Sequence, residues 1–185
     1  MPVFFLRKKY KTLDDILLVK EVATGNESAF RELLSRYQTG IFSFAVRIVG
    51  DNGAAEDIVQ ETFLRFYRAS ESLHPESNIR AFIFKIARNI CIDYLRKRRP
   101  ELQDEDTDGS NSETPLDLIE TKENKEMLLT AVLTLPERQK TAVLLRHTED
   151  MTYHEIAAVM SVSVSGVESL LVRGRKTLRA MLVKG

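Results

Sequence analysis

Apolar residues recur at the three- and four-residue intervals of amphipathic helices along most of the chain, which predicts an all-α fold. Asp14 or Asp15 caps a first helix through Val22, and Thr24-Gly25-Asn26 breaks it. A second helix starts at Asn26 or Ser28. Its one-face residues are Phe30, Leu33, Leu34 and Tyr37, continuing through Ile41, Phe42, Phe44, Ala45 and Ile48 to a turn at Gly50-Asp51-Asn52-Gly53. A third helix over 54–70 has the stripe Ala55, Ile58, Val59, Phe63, Phe66 and Tyr67. After a polar loop at 70–78, a fourth over 79–99 has Ile83, Ile86, Ala87, Ile90 and Tyr94, and Pro100 stops it. Residues 101–120 show no periodicity. Beyond them, a helix over 122–133 turns Met127, Leu128, Ala131 and Val132 inward. Another begins at Leu135-Pro136-Glu137-Arg138, with Pro at the first helical position, and buries Ala142, Val143, Leu145 and part of Leu144.

The last stretch, 152–182, is the most specific. Thr152 with Glu155 has capping-box spacing, and Ile156, Ala157 and Met160 give a short helix with one apolar face. Ser161-Val162-Ser163 reads as a tight break, with Ser163 as a second N-cap. The longer helix that follows buries Val167, Leu171, Gly174, Leu178 and Met181 or Leu182. Its outer face carries Ser165, Glu168, Ser169, Val172, Lys176 and Arg179, flanked by Arg173 and Arg175. A short helix, a brief turn and a basic helix make a helix-turn-helix, whose second helix enters the DNA major groove. The same pattern also fits an ordinary amphipathic pair with solvated arginines.

Two further faces stand out. On the third helix, Asp57, Gln60, Glu61, Leu64 and Arg68 oppose the buried stripe. Leu64 there is either a lone exposed leucine, which is common, or the apolar anchor of an acidic docking face. On the fourth, Phe82, Lys85, Asn89, Asp93 and Arg96 share a face, with Arg88 alongside, and the helix ends in Arg96-Lys97-Arg98-Arg99. A ring that stacks on a base among cations that hold phosphates suits single-stranded nucleic acid. Cations at a helix C-terminus also satisfy the helix dipole.

Charge sharpens the picture only when it is divided. The chain of 185 residues holds 27 Lys+Arg and 27 Asp+Glu, a net of zero. Residues 1–100 carry 17 basic and 12 acidic groups, residues 101–126 carry 2 and 10, and residues 127–185 carry 8 and 5. Two mildly basic blocks therefore flank an acidic segment, and each block can meet a polyanion. Residues 101–120 read as a flexible linker, too polar to offset its ordering entropy. In residues 1–14, Arg7, Lys8, Lys9 and Lys11 either touch nucleic acid or belong to a frayed, solvated tail, the reading favoured because termini are usually poorly ordered. No apolar run reaches the roughly 18–20 residues of a membrane span, and the N-terminus lacks the order of a secretory signal. The single cysteine, Cys91, fits a reducing cytoplasm.

Together these segments resemble a bacterial RNA polymerase sigma factor of the extracytoplasmic-function group of the sigma-70 superfamily. AEDIVQETFLRFYR (55–68) is similar to the family's polymerase-docking helix. FIFKIARNICIDYLRKRRP (82–100) is similar to its promoter-melting, minus-ten-reading helix, and residues 135–182 to its minus-thirty-five-binding domain. The resemblance implies three parts: a docking and minus-ten domain over 1–100, an acidic linker over 101–121 that runs toward the RNA exit path, and a minus-thirty-five domain over 122–185. It implies that Asp57, Gln60, Glu61, Leu64 and Arg68 dock on core RNA polymerase. Phe82, Lys85, Arg88, Asn89 and Arg96 then face the opened minus-ten strand, while the loop 71–78 captures a flipped base. Ser165, Glu168, Ser169, Val172, Arg173 and Lys176 face the minus-thirty-five duplex. It implies stress-type promoters and an anti-sigma partner, membrane-anchored or not. The chain differs from the common family pattern at Phe82, often Trp, and at Ser161, often Gly. It differs also at Glu168 and Leu170, often Lys and Arg; Glu168 can accept from a cytosine amino group.

The competing reading is a stand-alone helix-turn-helix regulator with an N-terminal sensor or dimerisation domain; it accounts for 135–182 but not for the faces on the third and fourth helices. An enzyme is a third. His74, His147 and His154 lie in separate elements, Cys91 has no His nearby in sequence, and no phosphate loop or metal-ligand spacing occurs. The expectation is therefore no catalytic residue, metal, cofactor or small-molecule substrate.

Overall fold

A computed structural model describes residues 10–74, 77–98 and 131–182. All regular elements among the described residues are helical: α1 (Asp15–Ala23), α2 (Glu27–Val49), α3 (Asn52–Ala69), a 3₁₀ turn (Ser70–Ser72), α4 (Ile79–Arg98), α5 (Glu137–His147), α6 (Tyr153–Met160) and α7 (Val164–Leu182). Residues 131–133 are also helical. The chain divides into two compact units, 1–95 and 96–185. The linker expected over 101–121 and most of the helix expected over 122–133 lie outside the described residues, as do residues 1–9.

In the first unit, side-chain caps set the starts of α2, α3 and α4, whereas Asp14, the cap expected for α1, stands at its N-cap without a side-chain cap bond. Asn26 Oδ1 accepts from the backbone N–H groups of Ser28 (3.0 Å) and Ala29 (3.3 Å). Asp51 Oδ1 accepts from Ala54 (3.0 Å) and Asn78 Oδ1 from Ala81 (2.9 Å). Each satisfies an N–H that the helix itself cannot. Gly50 ends α2 at φ 73°, a left-handed position that suits glycine. The core joins Leu18, Val19 and Val22 of α1 to Leu33, Ile41, Phe44 and Ile48 of α2, Ile58, Phe63 and Phe66 of α3, and Ile83, Phe84, Ala87 and Cys91 of α4. Phe44 meets Phe84 edge to face at 5.9 Å, the geometry that ring quadrupoles favour.

The tail expectation fails from Tyr10 onward. Tyr10 is buried, and the Arg36 guanidinium reaches back to the carbonyls of Leu13 (2.9 Å), Tyr10 (3.0 Å) and Lys11 (3.1 Å). The same guanidinium pairs with Asp15 (2.7 Å) and Glu32 (3.0 Å), and the Tyr37 hydroxyl donates to Asp15. A planar fork with five donors can close this many contacts at once. One arginine on α2 therefore fastens the segment before α1.

In the second unit, α5 buries five consecutive residues, Thr141 to Leu145. Leu144, expected to be buried in part, is fully enclosed, and Pro136 stands at the N-cap rather than the first helical position. The Thr152–Glu155 capping box forms in both directions. Ser161 ends α6 in the left-handed region (φ 55°, ψ 46°), and Ser163 Oγ accepts from the Gly166 N–H at 3.1 Å. The chain turns by 97° between α6 and α7, within the range of a helix-turn-helix. α7 buries Val167, Leu171 and Leu178 as expected, and also Leu170. Met181 is exposed instead.

Candidate nucleic-acid and partner interfaces

Three faces of the two units carry the residues expected to act. On α3, Asp57, Gln60, Leu64 and Arg68 are exposed and Glu61 is half-buried, all away from the stripe Ala55, Ile58, Phe63 and Phe66. The helical repeat sets this division: residues 57, 60, 61, 64 and 68 follow three- and four-residue steps. Glu61 pairs with Arg65 at 2.7 Å, so its charge is partly engaged within the helix. Leu64 is 45% exposed, and so is Tyr67. Tyr67 was expected in the buried stripe. It lies instead at the stripe's edge, its ring meeting Phe30 at 5.4 Å and 77°, and it stands three residues from Leu64, an adjacent place on the helix surface. The acidic face thus carries an apolar pair.

On α4, Asn89 and Arg96 are exposed, while Phe82, Lys85 and Arg88 are half-buried. Phe82 leans on Phe66, whose ring lies 6.4 Å away and is itself fully buried. A half-exposed ring braced against the core suits stacking on a base. Ile86, Ile90 and Tyr94, expected in the core stripe of α4, are only half-buried; Phe84 and Cys91 take the deeper places. Within the loop before α4, the 3₁₀ turn and the Asn78 cap are described, and residues 75–76 are not.

On α7, Ser165, Glu168, Ser169 and Lys176 are exposed, and Val172 and Arg173 half-buried. The opposite side of the helix packs on α5 so closely that a Cβ at Gly174 would stand 3.0 Å from Val143 Cγ2. Thr177 Oγ1 also reaches Gln139 Oε1 at 3.5 Å. Glycine lets the two backbones approach, and the approach fixes which side of α7 faces out. Leu170, at a position where a basic residue is common in the resembling family, is buried; its side chain belongs to the core and not to the outward face.

Among the described residues no group of His, Cys, Asp and Glu is arranged to hold a metal ion, and no single helix is long and apolar enough to cross a membrane.

A capped helix-turn-helix in one unit and an aromatic, basic helix beside an acidic docking-type face in the other define a two-part DNA-binding protein of sigma-factor type. Comparison with known proteins agrees. The family model Sigma-70 region 2 matches residues 33–101, and Sigma-70, region 4 matches residues 125–178. The ECF RNA polymerase sigma-E factor of Haemophilus influenzae is 34% identical over 178 residues, covering 90% of this chain and 94% of that protein. The ECF RNA polymerase sigma factor SigW of Bacillus subtilis is 27% identical, covering 89% and 94%. Among solved structures, CnrH in complex with the cytosolic domain of CnrY superposes with a TM-score of 0.72 at 25% identity, covering 92% of this chain and 97% of that one. The sigma factor RpoE, in complex with the anti-sigma factor NepR from Bartonella quintana, gives 0.65 at 26%, covering 83% and 96%. The chain belongs to the ECF sigma factors of the sigma-70 family. It is a transcription initiation factor.

Proposed function

We propose that the two units divide promoter recognition between an opened strand and an intact duplex. Residues 1–100 hold core RNA polymerase and the minus-ten strand; residues 122–185 hold the minus-thirty-five duplex; the acidic 101–121 joins them. The observation that carries this reading is the pairing of exposed Leu64 and Tyr67 on a face otherwise made of Asp57, Gln60, Glu61 and Arg68. Such a face suits a protein partner, and for a member of this family core RNA polymerase is that partner. A partner burying it gains about 25 cal/mol for each Å² of apolar area removed from water, and the charged rim sets orientation.

The chemistry of the other faces follows from their groups. Phe82 stacks on an unpaired base, and Asn89 hydrogen-bonds a base edge once the strand is parted. Lys85, Arg88 and Arg96 hold phosphates. Reading after melting makes recognition depend on opening, since these groups have no access to a paired base. On α7, Arg173 and Lys176 hold duplex phosphates while Ser165, Glu168, Ser169 and Val172 meet base edges. The protein works in the cytoplasm at stress-type promoters. An anti-sigma protein holds it silent by covering the same faces.

Gel filtration of the full chain with core polymerase, followed by permanganate footprinting on the promoter upstream of its own gene, tests the reading. Co-elution and reactive thymines around the minus-ten element are expected. Duplex binding without co-elution would establish the stand-alone regulator instead.

A further inference from the structure

We propose that Glu168 reads a cytosine in the upstream duplex element and so sets this protein's promoter choice. The inference rests on α7 being the recognition helix and goes beyond it by naming the base. Glu168 is exposed on the outward face with Ser165, Ser169 and Lys176. It is the fifth residue of α7, beyond the first turn, where the helix dipole rewards an acid. Its helical neighbours three and four residues away are Ser165, Val164, Leu171 and Val172, none of them a cation. Three other helical acids differ: Glu27 pairs with Arg31, Glu32 with Arg36 and Glu61 with Arg65, each four residues on. Among the described residues, no hydrogen bond or ion pair engages the Glu168 carboxylate. Neither a local ion pair nor the helix dipole therefore accounts for an acid at this place.

A DNA duplex supplies one. Phosphates repel a carboxylate, so its attraction must come from a base-edge donor. In the major groove the donors are the amino groups of cytosine and adenine. The adenine amino group lies beside the N7 acceptor, which repels the second carboxylate oxygen. The cytosine amino group lies beside a C–H. Guanine and thymine present acceptors at the corresponding edge and are rejected. Specificity thus arises from repulsion as much as from attraction. Val172, one turn further along, offers an apolar contact to a neighbouring pyrimidine C5 position.

The test presents holoenzyme with a duplex promoter library randomised across the upstream element and sequences the bound fraction. Wild-type holoenzyme is expected to enrich cytosine at one position by about tenfold or more. Glu168→Gln should move that position to adenine and Glu168→Lys to guanine, with the other positions unchanged and thermal melting of the full chain unaltered. If wild type and Glu168→Gln enrich the same base at every position, the assignment is overturned while the recognition helix stands. If wild-type holoenzyme enriches nothing upstream, the recognition-helix reading itself fails, and this assignment with it.

Discussion

The ring of Phe82 lies 6.4 Å from that of Phe66, the two planes inclined by 56°. Phe66 is fully buried and Phe82 half-buried, so the outer ring rests against the core. Phe82→Leu keeps an apolar side chain against Phe66 but removes the π-face. Stacking on a base is worth about 1–3 kcal/mol, so open-complex yield should fall roughly tenfold. Binding of the upstream duplex and assembly with core polymerase should not change. Phe82→Trp should restore opening. Equal loss of duplex binding and opening in Phe82→Leu would contradict the assignment.

Leu64 and Tyr67 stand exposed beside Asp57, Gln60 and Arg68 on α3. Leu64→Arg combined with Glu61→Arg should lower affinity for core polymerase at least tenfold by fluorescence titration, as loss of a central apolar anchor does. The double variant also breaks the exposed Glu61–Arg65 pair, worth under about 1 kcal/mol. Melting should therefore stay near wild type, and unchanged core affinity would remove α3 from the docking surface.

How far this was legible in the sequence depends on the range of the interaction. Caps were legible because they are local: Asn26, Thr152 with Glu155, and Ser163 each act within three residues. The outward faces of α3 and α7 were legible because periodicity alone sorts them. Tyr67 was misplaced because the helical repeat puts it at the stripe's edge, where Phe30 of another helix decides how much of it is covered. Leu170 gave its burial only once α7 was seated. The docking of Tyr10 was illegible, since it depends on Arg36, 26 residues away.

Ser161 holds a left-handed conformation, φ 55° and ψ 46°. A side chain there costs about 1–2 kcal/mol through the clash of Cβ with the following carbonyl. Ser161→Gly removes that cost but adds freedom to the unfolded chain. The net expectation is a gain of about 1 kcal/mol in urea denaturation followed by circular dichroism. Loss of stability would mean that the Ser161 side chain contributes something the turn geometry does not reveal.

Gly174 sits where a Cβ would stand 3.0 Å from Val143 Cγ2. Val143 is buried and β-branched, so it has little room to rotate away. Gly174→Ala gains about 1 kcal/mol of helix propensity and spends it on this contact, so it should melt close to wild type. Gly174→Val adds two methyl groups to the same gap and should cost about 2–3 kcal/mol through overpacking. Separation of α7 from α5 should also weaken duplex binding in that variant. A neutral Gly174→Val would show that the two helices can part without consequence.

His147, at the end of α5, is held below its ordinary pKa by burial and then by the like charges of Arg146 and Arg175. The imidazole is desolvated only in part, because the residue as a whole is exposed, so solvent screens the effect and its size is small. The sign is fixed. The folded protein binds the proton less readily than the unfolded chain, so stability is greatest above the unfolded value of 6.5 and falls as pH drops through it toward the lower folded value. Asp150 engages Arg146 at 3.4 Å but lies on the exposed side of the pair, too solvated to cancel the repulsion. Urea denaturation of the wild type between pH 7.5 and 5 should therefore show a decline that His147→Gln lacks. Parallel pH profiles for the two proteins would mean that other groups carry the acid response.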